Sequence, residues 1–340
     1  MKYVSWGVTV RQILRRYLVV NMTASRQQLI RLLADGEFHS GEALGDVLGV
    51  SRMAVSKQIK VLESIGLDVF KVTGKGYKLS SPLQLLDAEK IAAGSSVRVE
   101  SHQVLGSTNQ HLLDKAALLQ KGHSCFAEYQ TAGRGRRGKK WVSPYGSHLY
   151  TSTYWNLDAG IHAASGLSLV IGIAVARTLT DLGIANTQLK WPNDVYVEGK
   201  KIAGVLVEII ATAGGECHLV IGLGLNVNMP LQAGLEIDQA WTDISQQLQH
   251  TLDRNELATC YLTHLIKVLT DFEQFGFGHF VDEWNSCDAF KDSPVVLTLG
   301  NKQKQGIAKG IDQTGALLLE INGIVSPQVG GEMSLRRAEI

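Results

Sequence analysis

The chain has 340 residues, 45% of them hydrophobic, and 33 Lys and Arg against 32 Asp and Glu leave a formal net charge of only +1. That length and apolar content suffice for two or three domains with a substantial core. No apolar run is long enough to span a bilayer, since the longest, residues 166–176, is interrupted by Ser168 and Gly172. Cys125, Cys217, Cys260 and Cys287 are widely separated with no C-x-x-C pair. This spacing argues against a zinc or disulfide framework, and a reducing cytoplasm is the simplest setting.

Residues 1–21 carry Lys2, Arg11, Arg15 and Arg16 but neither a long apolar core nor a small-residue cleavage site, so a secretory signal is not expected. A short helix over residues 11–20 is one reading of this extension; translation starting at Met22 is another. From Ser25 the pattern turns helical, with Leu29, Leu32 and Leu33 on one face and Gly36 as the stop. Ser40 and Ser51 stand at N-cap positions either side of a turn at Gly49, which predicts a helix-turn-helix. Val55, Ile59 and Leu62 recur at i, i+4 and i+7 and face the core, leaving Arg52, Ser56, Lys57 and Lys60 on the opposite face, available to a DNA major groove. Residues 69–79 alternate about Gly74-Lys75-Gly76 and predict a β-hairpin wing whose tip lysine reaches phosphate. Residues 22–80 carry eight Lys or Arg against six Asp or Glu, a modest excess for a DNA binder, and helix-turn-helix units also serve as protein contacts. A dimer presenting two such helices is the expected reader of DNA.

Residues 82–86 read as a linker into a central α/β region. Ser107 or Thr108 caps a predicted helix running through Leu112, Leu113, Ala116 and Leu119, which leaves free N–H groups beside Ser107-Thr108-Asn109. Read alone, that triplet is a cap or a ligand site. Residues 133–141, Gly-Arg-Gly-Arg-Arg-Gly-Lys-Lys-Trp, put three glycines and five cations in one stretch and suggest a hinged loop closing over an anion. The run fits G-x-G-x-x-G and nearly a P-loop. Both fail on context: Pro144, Gly146 and then alternating β-formers follow where a helix must open, and Lys140 stands where a P-loop needs Ser or Thr. A solvated basic turn is the plainer reading. Residues 165–182 predict a largely apolar helix. Residues 190–208 then read as a strand end, a Pro-Asn-Asp turn, a short strand, a Glu-Gly-Lys turn and a second strand, gathering Lys190, Asp194, Lys200 and Lys201 around one hairpin. A strand from Leu219 ends in Gly222-Leu-Gly-Leu-Asn-Val-Asn228, whose glycines allow close approach to a nucleotide. Trp241 is a core tryptophan or part of a ligand loop. A helix over residues 255–275 follows, then short β-runs at 295–299, 305–311, 316–320 and 324–327 that suggest a small barrel.

Taken together, Ser107-Thr108-Asn109, residues 133–141, 190–208 and 222–228 resemble the bifunctional bacterial biotin protein ligases that also repress biotin synthesis. The resemblance covers about residues 25–340. It implies an α/β (α+β) fold in three parts: a winged helix-turn-helix DNA-binding domain over 22–83, a central mixed-sheet domain of the biotin/lipoate-ligase type binding biotin and ATP over 84–288, and an SH3-like β-barrel over 289–340, with 1–21 outside the match. The implied enzyme is an AMP-forming biotin-[acetyl-CoA-carboxylase] ligase, acting in the cytoplasm and off the membrane. It makes biotinyl-5′-AMP from biotin and ATP with Mg²⁺, then transfers biotin to a lysine of biotin carboxyl carrier protein.

By resemblance, Ser107, Thr108, Asn109 and Gln130 hydrogen-bond the ureido ring of biotin. Arg134, Gly135 and Arg136 belong to the loop that orders over biotin and adenylate, and Lys201 lies against the carboxylate and α-phosphate. Arg136, Lys190, Asn193, Asn226 and Trp241 serve the nucleotide, Trp241 in an adenine-stacking loop. Lys201, Arg136, Lys190 and Asp194 are the catalytic candidates, Asp194 through Mg²⁺ or by orienting the incoming amine. Ser40, Ser51, Arg52, Ser56, Lys57, Lys60 and Lys75 are the DNA-facing set. The adenylate-bound homodimer is the operator-binding species, with loops near 158–164 and 211–217 in its surface. A lipoate ligase shares the central fold but lacks the basic run before Trp and the helix-turn-helix. A ligand-sensing regulator without catalysis and a ligase without DNA binding are the other readings.

Overall fold

The structure is a computed structural model that describes residues 22–158, 160, 164–211, 217–248, 250, 252–329 and 333–338; the readings of residues 1–21 and of most of the two loops near 158–164 and 211–217 lie outside them. Contacts divide the chain into two compact units, one ending at Leu83 and one beginning at Gln84.

The first unit packs helices α1 (Ala24–Leu33), α2 (Gly41–Leu48) and α3 (Arg52–Ser64) with a hairpin of β1 (Val69–Val72) and β2 (Gly76–Leu79). Leu29, Ile30, Leu33, Leu44, Val55, Ile59 and Leu62 are buried, each contributing about 1.5–3 kcal/mol of apolar burial. Ser40 Oγ accepts from Ala43 N and Ser51 Oγ from Ala54 N, so both serines cap their helices as the sequence predicts. Between them Gly49 takes φ 64°, a left-handed turn that a side chain would disfavour.

The second unit is built on a seven-stranded mixed sheet in the order β3-β4-β5-β9-β8-β7-β6. Its elements are α4 (Ala88–Ser95), β3 (Val99–His102), α5 (Thr108–Leu113), β4 (Ser124–Ala127), β5 (His148–Leu157), α6 (Leu167–Asp181), β6 (Thr187–Lys190), β7 (Asp194–Val197), β8 (Lys200–Ala211) and β9 (Cys217–Asn226). Short α7 (Leu231–Gly234) and α8 (Ile244–Gln247) precede the long α9 (Arg254–Phe275) and α10 (Val281–Ser286). The helix capped by Ser107 is shorter than its apolar spacing suggests. It stops at Leu113, and Ala116–Leu118 forms a separate 3-10 turn. Nor does β5 alternate in burial. Nine of its ten residues are buried because it lies inside the sheet, between β4 and β9, with both faces covered. Helices α6 and α9 supply much of one cover, through Val170, Ile171, Val175, Leu262, Leu265 and Leu269.

Where the end of β4, the start of β5 and the start of α9 meet lies a buried ionic junction. Glu128 accepts from both terminal nitrogens of Arg254 and from Leu86 N, and Arg254 also donates to the carbonyl of His148. The residues after α10 form a five-stranded antiparallel sheet, β10 (Pro294–Leu299), β11 (Lys302–Ile311), β12 (Leu317–Ile321), β13 (Ile324–Gln328) and β14 (Met333–Arg337), in the order β13-β12-β11-β10-β14. The fifth strand, β14, is absent from the sequence reading: Met333-Ser-Leu-Arg-Arg337 is too short and charged to stand out, and pairing with β10 makes it a strand. Trp191 Nε1 donates to the Gly315 carbonyl and Ser165 Oγ to the Thr314 carbonyl, which seats this sheet on the larger one.

Candidate active site

The glycines of β8 and β9 make the floor. Gly204 stands opposite Gly224 in register, and Leu206 opposite Gly222. A Cβ on Gly224 would lie 2.3 Å from the Trp141 ring, and one on Gly222 would lie 2.2 Å from Asn109 Oδ1. Bare backbone at these two points lets an indole and an amide lie directly on the sheet. Over this floor opens a cavity of about 270 Å³ lined by Ser107, Thr108, Asn109, Gln130, Arg134, Gly135, Arg136, Lys190, Asn193, Asp194, Lys201, Asn226 and Trp241, with Met333 to Arg336 of the last strand at its rim. All the residues assigned to biotin, nucleotide and catalysis therefore meet in one place. A shallower groove of about 420 Å³ shares Arg136, Trp191, Pro192 and Asn193 with it.

At one end, Ser107 Oγ caps the helix at Gln110 N, and Thr108 donates through its N–H and its hydroxyl to Gln130 Oε1. Ser152 Oγ on β5 donates 2.5 Å to Asn109 Oδ1 and approaches Thr108 Oγ1 at 2.7 Å. Ser107-Thr108-Asn109 is thus both a cap and a cavity wall. Ser152 is a residue the sequence reading missed, as is Thr151, whose buried hydroxyl lines the cavity and has no hydrogen-bond partner. A β-strand serine or threonine carries no signal of its own until the strand order is known.

The basic run is an ordered hairpin. Gly135 N donates to the Lys139 carbonyl and Trp141 N to the Gly133 carbonyl, around a 3-10 turn at Arg136–Gly138. The picture of three glycine hinges needs correction here. Gly138 is left-handed at φ 70°, but so is Arg137 at 59°. Gly133 is needed for close packing, its position for a Cβ lying 2.6 Å from Ser143 Oγ, and Gly135 meets nothing closer than 3.7 Å. Arg134 reaches back to both oxygens of Glu208, at 3.0 and 3.1 Å, and to Gln110 Oε1, while Asn109 Nδ2 donates to the same Glu208 at 2.7 Å. Glu208 therefore ties the flap to the helix start, a role that its place at the end of a predicted strand did not disclose. Arg136 donates to Asn193 Oδ1, and Asn193 in turn donates to the Val205 carbonyl.

At the other end, Asp194 Oδ1 is 2.7 Å from Lys201 Nζ and its Oδ2 3.3 Å from Lys190 Nζ, all three side chains being about one-eighth exposed. Lys190 pairs with Asp194 across β6 and β7. Lys201 arrives by a β-bulge: Val195 pairs with Ala203 but Tyr196 with Lys201, so one extra residue on β8 turns the Lys201 side chain onto the Asp194 face. Burial would raise the Asp194 carboxyl, yet the Lys201 and Lys190 ammoniums hold it below the usual carboxylate range. Burial likewise works to lower Lys190, and Asp194 and Tyr196 hold it above its ordinary value. Lys201 also lies 5.4 Å over the Trp141 ring. Its backbone pairs with the strap around Trp241, Lys201 N donating to the Ala240 carbonyl and Thr242 N to the Lys201 carbonyl. Asn226 Nδ2 holds the Thr242 carbonyl of the same strap, and Trp241 rests on α7, donating to Gly234 O. Trp241 is thus packed on one side and borders the cavity on the other.

In the first unit, Arg52, Lys57, Lys60 and Lys75 are exposed and Ser56 is half-buried. Lys75 and Lys78 each lie 5.7 Å over the Phe38 ring.

A winged helix-turn-helix module followed by an α+β domain whose cationic cleft sits on glycine-bearing strands defines the class, and comparison with known proteins agrees. Residues 101–226 match the model of the biotin/lipoate A/B protein ligase family, residues 25–78 that of an HTH domain, and residues 292–336 that of the biotin protein ligase C-terminal domain. The chain is 50% identical over 312 residues to the bifunctional ligase/repressor BirA of Salmonella typhimurium LT2, covering 92% of this chain and 97% of that protein. It is 49% identical over 315 residues to the protein of the same description from Escherichia coli K12, with the same coverage. The solved biotin protein ligase of Aquifex aeolicus in complex with biotin and ATP is similar at a TM-score of 0.62 and 30% identity, over 71% of this chain and 99% of that one. The chain belongs to the family of bifunctional ligase/repressors, BirA. It is an enzyme of the biotin protein ligase class that carries a helix-turn-helix repressor domain.

Proposed function

We propose that the cleft activates biotin with ATP to biotinyl-5′-AMP and passes biotin to a lysine of biotin carboxyl carrier protein. The observation that carries this reading is the convergence of Lys201, Lys190, Arg134 and Arg136 on one cavity floored by Gly204, Gly222 and Gly224. Biotin's carboxylate attacks the α-phosphate, and two anions approach only where fixed positive charge offsets their repulsion. Lys201 supplies that charge at the reacting atoms, with Lys190 and Arg136 alongside for the phosphates and Asn193, Asn226 and Trp241 bounding the nucleotide. Ser107, Thr108, Asn109 and Gln130 receive the ureido ring, and the flap through Arg134, Gly135 and Arg136 excludes water from the mixed anhydride. The acceptor amine then attacks the acyl carbon and AMP leaves.

Asp194 does not fit a Mg²⁺ ligand, because its two oxygens already meet two ammonium groups. It serves as the ionised carboxylate that positions Lys190 and Lys201; Mg²⁺ bound to ATP would supply further neutralisation of phosphate charge. The adenylate-bound homodimer would bind operator DNA through Ser40, Ser51, Arg52, Ser56, Lys57, Lys60 and Lys75 and repress biotin synthesis in the cytoplasm. Among the described residues no helix is long and apolar enough to cross a membrane.

The deciding experiment incubates the full chain with ATP, Mg²⁺ and labelled biotin, lipoate or fatty acid. Biotinyl-adenylate with pyrophosphate release is the expected result. Binding of biotin with no pyrophosphate, or an adenylate of lipoate alone, would overturn the reading.

A further inference from the structure

The parallel pairing of β3 with β4 sets Glu100 opposite Cys125, and Glu100 and His102, two residues apart, share a face. Helix α5 crosses this edge of the sheet and lowers His111 onto it, and His123 stands just before β4. Glu100 Oε2 lies 3.2 Å from His102 Nε2, and Oε1 lies 3.0 Å from His111 Nε2 and 3.4 Å from His123 Nε2. One donor atom each from Glu100, His102, His111 and Cys125 all fall within 4.8 Å of one another. Three imidazoles around one carboxylate exceed what an ion pair uses, and His123 Nε2, a buried atom, meets Glu100 Oε1 only at 3.4 Å and without hydrogen-bond geometry.

We propose that Glu100, His102, His111 and Cys125 form a binding site for a thiophilic divalent ion of the Zn²⁺ class, separate from the cleft. Two imidazole nitrogens, a thiolate and a carboxylate are a four-donor set that suits Zn²⁺ and disfavours Mg²⁺ or Ca²⁺. Around a tetrahedral ion with Zn–N near 2.0–2.1 Å and Zn–S near 2.3 Å, donors stand roughly 3.3–3.6 Å apart, so the observed cluster needs a contraction of about 1 Å. The charges also balance, because one carboxylate and one thiolate neutralise the ion. Cys125 is buried beside Glu100, which pushes its thiol up, and the ion takes the place of the Sγ proton, which passes to solvent. Lys115 opposes binding: its Nζ is 2.9 Å from His111 Nε2 and 3.8 Å from Glu100 Oε2. Its side chain is 45% exposed, so it can swing out to water. An ion here would fasten α5, whose first turn carries Thr108 and Asn109 to the cleft, to β3 and β4.

The test uses the full-length, untagged, reduced chain stripped with a chelator and titrated with Zn²⁺ alone, then with Co²⁺ alone. The expected result is one equivalent of tightly bound ion, release of protons to the buffer, and a thiolate-to-Co²⁺ charge-transfer band. His102→Ala, at a partly exposed position, weakens binding at least tenfold. Cys125→Ser abolishes the band, Lys115→Ala tightens binding, and Cys260→Ser changes nothing. The proposal is overturned by the absence of stoichiometric binding, or by binding that survives His102→Ala and disappears in Cys260→Ser, which would move the ion to the exposed group of Asp181, Cys260 and His264.

Discussion

Lys201 is held at three points: its side chain by Asp194, its N–H by the Ala240 carbonyl and its carbonyl by Thr242 N. A cation fixed in this way stabilises developing charge without reorganising at the moment of reaction. Lys201→Ala is expected to slow biotin-dependent pyrophosphate exchange by about 100-fold or more, the scale for losing one transition-state stabiliser; exchange near the wild-type rate would remove Lys201 from the chemistry. The run of cations at 133–141 and the Lys190, Asp194, Lys201 group were legible in the sequence as residue types at telling spacings. Glu208 and Ser152 were not, since each acts through a partner 43 to 99 positions away in the chain.

At the scale of elements, the cleft depends on two adjacent strands presenting backbone where other strands present side chains. Gly224 has the Trp141 ring against it, and that ring also covers Gly204. Gly224→Ala would drive a methyl into the indole, so we expect a loss of about 1–3 kcal/mol in urea unfolding, as for other overpacked sites, together with weakened biotin binding by calorimetry. Unchanged values for both would show that the indole moves aside at no cost. Periodicity located most strands and helices but misjudged the end of α5 and passed over the short elements α4, β3, β4, α7, α8, α10 and β14. The apolar spacing through Ala116 and Leu119 continues past the end of α5, because those residues belong to a second small cluster with Leu112, Cys125 and Tyr154 that a 3-10 turn reaches equally well. Strand β14 owes its form to β10.

For the molecule as a whole, one buried junction joins the start of α9, the segment before α4 and the centre of the sheet. At its inner end His148 is fully enclosed, its Nδ1 accepting from Val227 N and its Nε2 lying 3.3 Å from Met229 Sδ. Burial lowers its imidazole to about 3, with the Arg254 charge assisting and the contact to Ser147 opposing. The folded state thus keeps His148 neutral where the unfolded chain takes up a proton. Its contribution is present above pH 6.5 and declines as pH falls from there towards 3, by at most ~1.4 kcal/mol per pH unit. His148→Gln should flatten the acid limb of a stability-against-pH curve; an unaltered limb would place the acid sensitivity elsewhere. Pairing of two chains belongs to the same scale. Biotin and ATP together should raise the sedimentation coefficient to that of a dimer and sharpen a gel shift on a palindromic operator, and a chain that stays monomeric with adenylate bound would separate ligase from repressor.

By itself the sequence determined the order of modules, the helix-turn-helix with its two serine caps, and the two cation-rich segments, because caps, turns and amphipathic periods are written in neighbouring residues. Only the tertiary structure decided which way Lys201 faces, since one inserted residue at the β8 bulge reverses a strand's alternation and leaves no local mark. The same holds for Glu208 beneath the flap and for Cys125 beside Glu100, His102 and His111. Cysteine spacing gives no sign of that cluster, which strand register and a crossing helix gather from separate elements; contacts of that kind are set by the closing of the sheet and not by distance along the chain.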